Sequence, residues 1–132
     1  MAPEGTKTID SLSANEFQVE INGTVVEGIF SVRGLTSFML DGDLPPLVIS
    51  KMVQRDPNNP FNVWTRETLK GKRAARDVAI VAMDEGEETR RWVYRKAHIT
   101  AINFSDFDSG RSELVEEQIT IKAAKVEEIW PK

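Results

Sequence analysis

The chain has 132 residues, of which 40% are hydrophobic and 29% charged. This length suits one globular domain with a real core, and the balance excludes a disordered chain. The formal net charge of -4 argues against a dedicated nucleic-acid binder, and the absence of cysteine with a single histidine, His98, excludes disulfides, thiolate metal sites, cysteine nucleophiles and a two-histidine zinc site.

Residues 1–15 are polar and without periodicity and read as a flexible arm, leaving 16–132 as one domain. No basic-then-apolar signal pattern occurs between Met1 and Asn15, so synthesis in the cytoplasm without a cleaved leader is expected. No apolar run approaches the roughly 20 residues of a membrane span, so no stable membrane association is expected. Phe17, Val19 and Ile21 alternate with polar residues as in a half-buried strand, and Asn22-Gly23 is a hairpin signal. The return strand is expected over Thr24 to Arg33, with Val26, Phe30 and Val32 on one face and Gly28 marking a bulge or close approach. Residues 41–46 read as a loop, and Leu47 to Val53 as a strand.

Asn59 is a fair helix N-cap, Pro60 suits the first helical position, and Gly71 is a stop. Together they predict one short helix over about Pro60 to Lys70, anchored by Phe61, Trp64 and Leu69. Arg76 to Met83 is a strand apolar on both faces, and Asp84 to Glu88 a hairpin loop. A long strand follows over Thr89 to Phe104, whose alternation slips near Ala97, as a β-bulge would require. Ser105 to Gly110 is a loop. The last strand runs over about Leu114 to Ile129, with Val115, Ile119 and Ile121 inward and a second slip near Ala123 to Val126. The sum is about six antiparallel strands and one helix, with more apolar strand surface than one small domain can cover.

No catalytic constellation emerges. Asp106-Phe-Asp108-Ser-Gly110 lacks the spacing and flanking helices of a calcium loop and reads as a polar turn. Glu116 and Glu117 point to opposite faces of a strand and cannot act as an acid/base pair. His98 has no serine-and-carboxylate arrangement around it. Lys70, Lys72, Arg73 and Arg76 form a basic patch without the ending of a phosphate-binding loop, read as a solvated helix terminus or a protein contact. Trp64, Trp92, Tyr94 and Trp130 suit a core, an interface or a ligand site. Charge is segregated: residues 66–96 carry nine Lys/Arg against six Asp/Glu, residues 1–65 four against eight, and residues 101–132 four against seven. Opposite charge at two ends of a fold permits head-to-tail stacking of identical subunits.

Several segments together resemble the tail-tube family of contractile phages and related injection systems, with the type VI secretion tube protein as a distant relative. They are Phe17-Gln-Val-Glu-Ile-Asn-Gly23, similar to the family's opening hairpin, and Gly28-Ile-Phe-Ser-Val-Arg-Gly-Leu35, similar to its next strand. Val63-Trp64 followed by Arg76-Asp-Val-Ala-Ile80, then Trp92 and Ala97 at the family's Trp-x-x-x-x-Ala spacing, continue the likeness, and Leu114 to Glu128 resembles the closing strand. The segment Thr36 to Pro46 and the residues His98-Ile99 depart from the family pattern.

The resemblance implies a mainly β fold, an antiparallel β-sandwich or barrel with one short flanking helix, assembling into a ring. Six copies would form each ring, and stacked rings a tube inside a contractile sheath, joined to baseplate or tube-initiator proteins. DNA or protein cargo would pass through the lumen without specific binding, in a phage tail or extracellular particle. The implied role is structural, with no enzyme activity, cofactor or metal. The candidates for contacts between subunits or rings are Asp41, Asp43, Lys70, Lys72, Arg73, Arg76, Trp92 and Tyr94. A small monomeric β-barrel binding module, with its ligand near Trp92 and Tyr94, is the alternative.

Overall fold

The computed structural model describes residues 11–110 and 114–131; most of the proposed N-terminal arm lies outside them. The first hairpin joins β1 (Phe17–Ile21) to β2 (Thr24–Val26) through Asn22 and Gly23, both at positive φ, as a type I′ turn demands. The chain continues through β3 (Ile29–Arg33), β4 (Leu47–Met52), the helix α1 (Pro60–Leu69), β5 (Arg76–Asp84), β6 (Glu87–Phe104), β7 (Glu116–Lys122) and β8 (Lys125–Ile129). All strand pairs are antiparallel, in the order β2-β1-β5-β6-β7-β4-β3, with β8 also on β6. The sheet is not closed into a barrel.

The 18-residue β6 holds the architecture together. Its first half pairs with β5 and β8, and its second half with β7. The slip expected near Ala97 is a bulge. Arg76 pairs with Ala97 and Val78 with Tyr94, so Arg95 and Lys96 face Asp77 alone, and Lys96 takes φ +51°. A second bulge at Thr100 follows. Bulges bend and twist a strand, and here they let the two halves of the sheet enclose one core. That core joins Val19, Ile21, Val78, Ile80 and Tyr94 of one half to Leu47, Ile49, Ile119 and Ile121 of the other, with Phe61 and Trp64 of α1 between them. The opposite face of β5 buries Ala79 and Val81 against Val93, so both faces of that strand are covered as its sequence predicts.

Four expectations need correction. The return strand after the first hairpin is two strands, because Gly28 (φ +84°) turns the chain from one half to the other. A Cβ at Gly28 would stand 2.5 Å from Gln54 Nε2, which donates to Glu27 O. Phe30, the extra residue of a bulge, is exposed rather than inward with Val26. The closing strand is likewise broken at Ala123-Ala124, β7 serving one half and β8 the other. Leu69 is 78% exposed and anchors nothing; the helix packs through Phe61, Trp64 and Thr65.

Candidate assembly interface

The long strand β6 and the consecutive pair β7–β8 form a two-stranded ribbon. The strands β5, β1 and β2 extend it from the first half of β6, and β4 and β3 extend it from β7. This arrangement leaves two edges of the ribbon open. Among the described residues, His98 to Phe104 pair with β7 only, and β8 pairs with β6 only. Unpaired strand edges are templates for addition of another chain.

Beside the β8 edge runs the loop 34–46. Gly34 starts it at φ +85°, where a Cβ would meet Pro46 O at 2.5 Å, so only glycine lets the two ends of the loop touch. The Tyr94 hydroxyl accepts from Thr36 N–H at 2.9 Å and donates to Thr36 O at 3.3 Å, and Trp92 Nε1 donates to Ser37 Oγ at 2.8 Å. Burial pushes the Tyr94 phenol above its ordinary range, so it stays neutral and keeps its proton for Thr36 O. Tyr94 is 1% exposed and Trp92 packs against the core, so this expected pair of interface aromatics fixes the loop from beneath, and Tyr94 offers no surface to a ligand. The loop presents Phe38, Met39 and Leu40 to solvent, followed by exposed Asp41 and Asp43. Between the loop and residues 122–126 lies an open cleft of about 400 Å³, with Asp43 in its wall.

Beside the open edge of β6 lies the exit of α1. Asn59 Oδ1 accepts from Phe61 N–H at the helix start. At its end Gly71 N–H bonds Thr68 O and Lys72 N–H bonds Glu67 O, the two bonds of a Schellman motif. The motif turns the chain so that Lys70, Lys72 and Arg73 stand in solvent. Lys72 and Arg73 border a cleft of about 410 Å³ whose far wall is His98, Ile99 and Thr100. Arg76 differs from its neighbours: it pairs with Glu67 at 2.7 Å and lies over the Trp64 ring, so it serves the fold. Its guanidinium holds the Glu67 carboxyl below the usual range.

A lattice of ion pairs, with no counterpart among the sequence candidates, covers the outer face of β1, β5, β6 and β8. Arg91 bridges Glu20 and Glu88, and Arg95 bridges Asp77 and Glu127. Asp77 also accepts from the bulge N–H of Lys96 at 3.0 Å. Those bonds hold the Asp77 carboxyl below its ordinary range, as Arg91 and Arg95 do for Glu88 and Glu127. Acids and bases alternate with apolar residues along these strands, which is a signal of the lattice, but the pairing of distant segments leaves no mark in the sequence.

The described residues contain no group of three or more His, Asp or Glu side chains placed to hold a metal ion. Asp108 accepts from Gly110 N–H, the geometry of a polar turn. Glu117 points inward and pairs with Lys51, while Glu116 is on the other face. No helix among the described residues is long and apolar enough to cross a membrane.

Neither a family model nor a curated protein matches the chain. Solved structures do. A chain in the anti-feeding prophage cap, the AFP tube-terminating cap, superposes with a TM-score of 0.75 at 21% identity, over 99% of this chain and 100% of that one. A chain of the PVC sheath-tube complex, an extracellular contractile injection system in its extended state, gives 0.75 at 16% identity, over 94% and 95%. The chain has the fold of these two injection-system chains. Hcp1 from Flavobacterium johnsoniae shares the fold more distantly, with a TM-score of 0.60 at 10% identity over 88% of this chain and 96% of that one.

Proposed function

We propose that this protein is a structural subunit of the inner tube of a contractile injection system or phage tail. Copies form hexameric rings, and rings stack into a tube whose lumen passes DNA or protein cargo. A contractile sheath and baseplate or tube-initiator proteins are its partners. The observation that carries this reading is full-length agreement with chains from a tube-terminating cap and a sheath-tube complex. Open strand edges on β6 and β8 and exposed Phe38, Met39 and Leu40 support it, because self-assembly would cover both. The reading requires no catalytic residue, cofactor or metal.

Negative-stain microscopy with mass photometry of the purified chain tests it. Rings of uniform diameter with six times the monomer mass, stacking as concentration rises, are the expected result. A persistent monomer in concentrated solution overturns the proposal.

A further inference from the structure

We propose that Asn22 is a site of covalent modification by deamidation, and that its two-point contact with Asp77 of β5 holds the reaction off while the first hairpin is closed. The inference does not depend on the tube reading.

The chemistry argues first. Of the asparagines in the chain, only Asn22 precedes a glycine. Glycine has no side chain to shield its amide, and a Cβ at Gly23 would meet nothing within 4 Å, so no neighbour crowds that nitrogen. In the reaction the Gly23 nitrogen gives its proton to solvent hydroxide and attacks Cγ of Asn22. A Cγ–N bond forms, the Cγ–Nδ2 bond breaks, and Nδ2 takes a proton from water and leaves as ammonia. The resulting five-membered succinimide then adds one water. Opening at Cγ leaves an ordinary aspartate. Opening at the main-chain carbonyl leaves an isoaspartate, whose backbone is longer by one methylene.

The geometry argues second. Asn22 and Gly23 are both exposed, so water and hydroxide reach them and burial gives no protection. Conformation protects instead. Asn22 N donates to Asp77 O at 2.8 Å, and Asp77 N donates back to Asn22 Oδ1 at 2.9 Å. The first bond fixes the main chain and the second fixes the carboxamide. A carboxamide whose oxygen is held by Asp77 N–H is not free to turn its carbon onto the Gly23 nitrogen. Asp77 is itself anchored, because its carboxylate accepts from Lys96 N–H at 3.0 Å and from Arg95 at 2.9 Å.

The two products differ in consequence. Asp-Gly also suits a type I′ turn, and an aspartate oxygen still accepts from Asp77 N–H, so the aspartate form keeps the hairpin. The isoaspartate form carries its extra methylene inside a two-residue turn and cannot close it in register. Deamidation therefore records opening of the first hairpin irreversibly.

Incubation of the full chain at mildly alkaline pH, in native buffer and in concentrated urea, tests the proposal. Conversion at each asparagine is read by peptide mass spectrometry after digestion in acid. In urea, Asn22 should convert before every other asparagine. Gly23→Ala, whose methyl shields the nitrogen, should slow that conversion severalfold in urea, where folding plays no part. In native buffer the wild-type rate at Asn22 should fall about tenfold or more, because only the opened hairpin reacts. The slowing should match, within about threefold, the protection of the Asp77 amide against hydrogen exchange, since one opening releases both. Equal rates at Asn22 in native buffer and urea would overturn the clamp, as would a freely exchanging Asp77 amide beside a slow Asn22. Another asparagine converting first in urea, or an undiminished rate in Gly23→Ala, would overturn the site.

Discussion

Lys51 Nζ and Glu117 Oε1 lie 2.8 Å apart inside the sandwich, on directly paired positions of β4 and β7. Lys51 is fully buried, with Nζ also donating to Met52 O and standing 6.0 Å from the centroid of the Phe61 ring. Both charges have left water, so each depends on the other. Replacing Lys51 with Met alone strands a buried carboxylate and should destabilise the fold by about 3–5 kcal/mol. Replacing both, Lys51→Met with Glu117→Leu, removes the desolvation cost together with the attraction. The double variant should recover most of the loss in urea denaturation. Equal or greater loss in the double variant would show that packing, rather than charge, decides the site.

Lys96 supports a second prediction. Its φ of +51° places a side-chain-bearing residue in the left-handed region, at the bulge where β6 bends. The strain is offset by Asp77, which accepts from Lys96 N–H and from Arg95. Lys96→Gly should keep the bulge and stabilise the fold by about 0.5–1 kcal/mol, while β-branched Lys96→Val should cost about 1–2 kcal/mol. Thermal melts of the two variants against the wild type separate these outcomes. Opposite signs are expected; equal shifts would mean that the bulge relaxes.

The bend itself is legible in the sequence, because the inward set changes from Trp92 and Tyr94 to Ala97 and Ile99. The first hairpin is legible in Asn22-Gly23, and the helix in Asn59-Pro60 and Gly71, since each turn or cap requires those residue types locally. What stays hidden depends on partners far along the chain. Glu117 reads only as a residue on the face opposite Glu116, because nothing local shows that Lys51 will stand across from it. Thr24 to Arg33 and Leu114 to Ile129 each keep strand-forming residues across a break, and alternation alone does not reveal that successive segments join different halves. Tyr94 and Trp92 look equally suited to core, ligand or interface. Their polar ends are taken by Thr36 and Ser37, a contact set by the path of loop 34–46 that no periodicity encodes.

Acid should weaken the fold in a defined direction. Asp77, Glu88, Glu127 and Glu67 all have carboxyls held below their ordinary values of 3.8 for Asp and 4.5 for Glu. They bind protons more weakly folded than unfolded, so their contribution is complete above about pH 5 and is lost as pH falls through the lower folded values. The urea midpoint should be level from pH 6 to 8 on this account and decline below about pH 4.5. Asp77→Asn keeps an amide oxygen for Lys96 N–H but no charge for Arg95. Its acid limb should therefore be shallower than that of the wild type. An identical limb would mean that the Arg95–Asp77 pair, half-exposed and screened, contributes nothing measurable.

The last prediction concerns the loop that carries Asp41 and Asp43. One hydroxyl makes two of the bonds that hold its first turn, since Tyr94 both accepts from and donates to Thr36, beside the Trp92–Ser37 bond. Tyr94→Phe leaves the ring in the core and removes only that link. The global cost should be about 1–2 kcal/mol, the worth of a buried hydrogen bond whose backbone partners must find water instead. The local effect should be larger. Amide exchange at Thr36 should accelerate well beyond the change at Val93 or Ile119, because the loop opens while the sheet does not. Assembly should weaken in the same variant, since a loosened loop must be ordered again whenever a second copy docks. If exchange rises equally throughout the protein, Tyr94 stabilises the fold as a whole and does not position the loop.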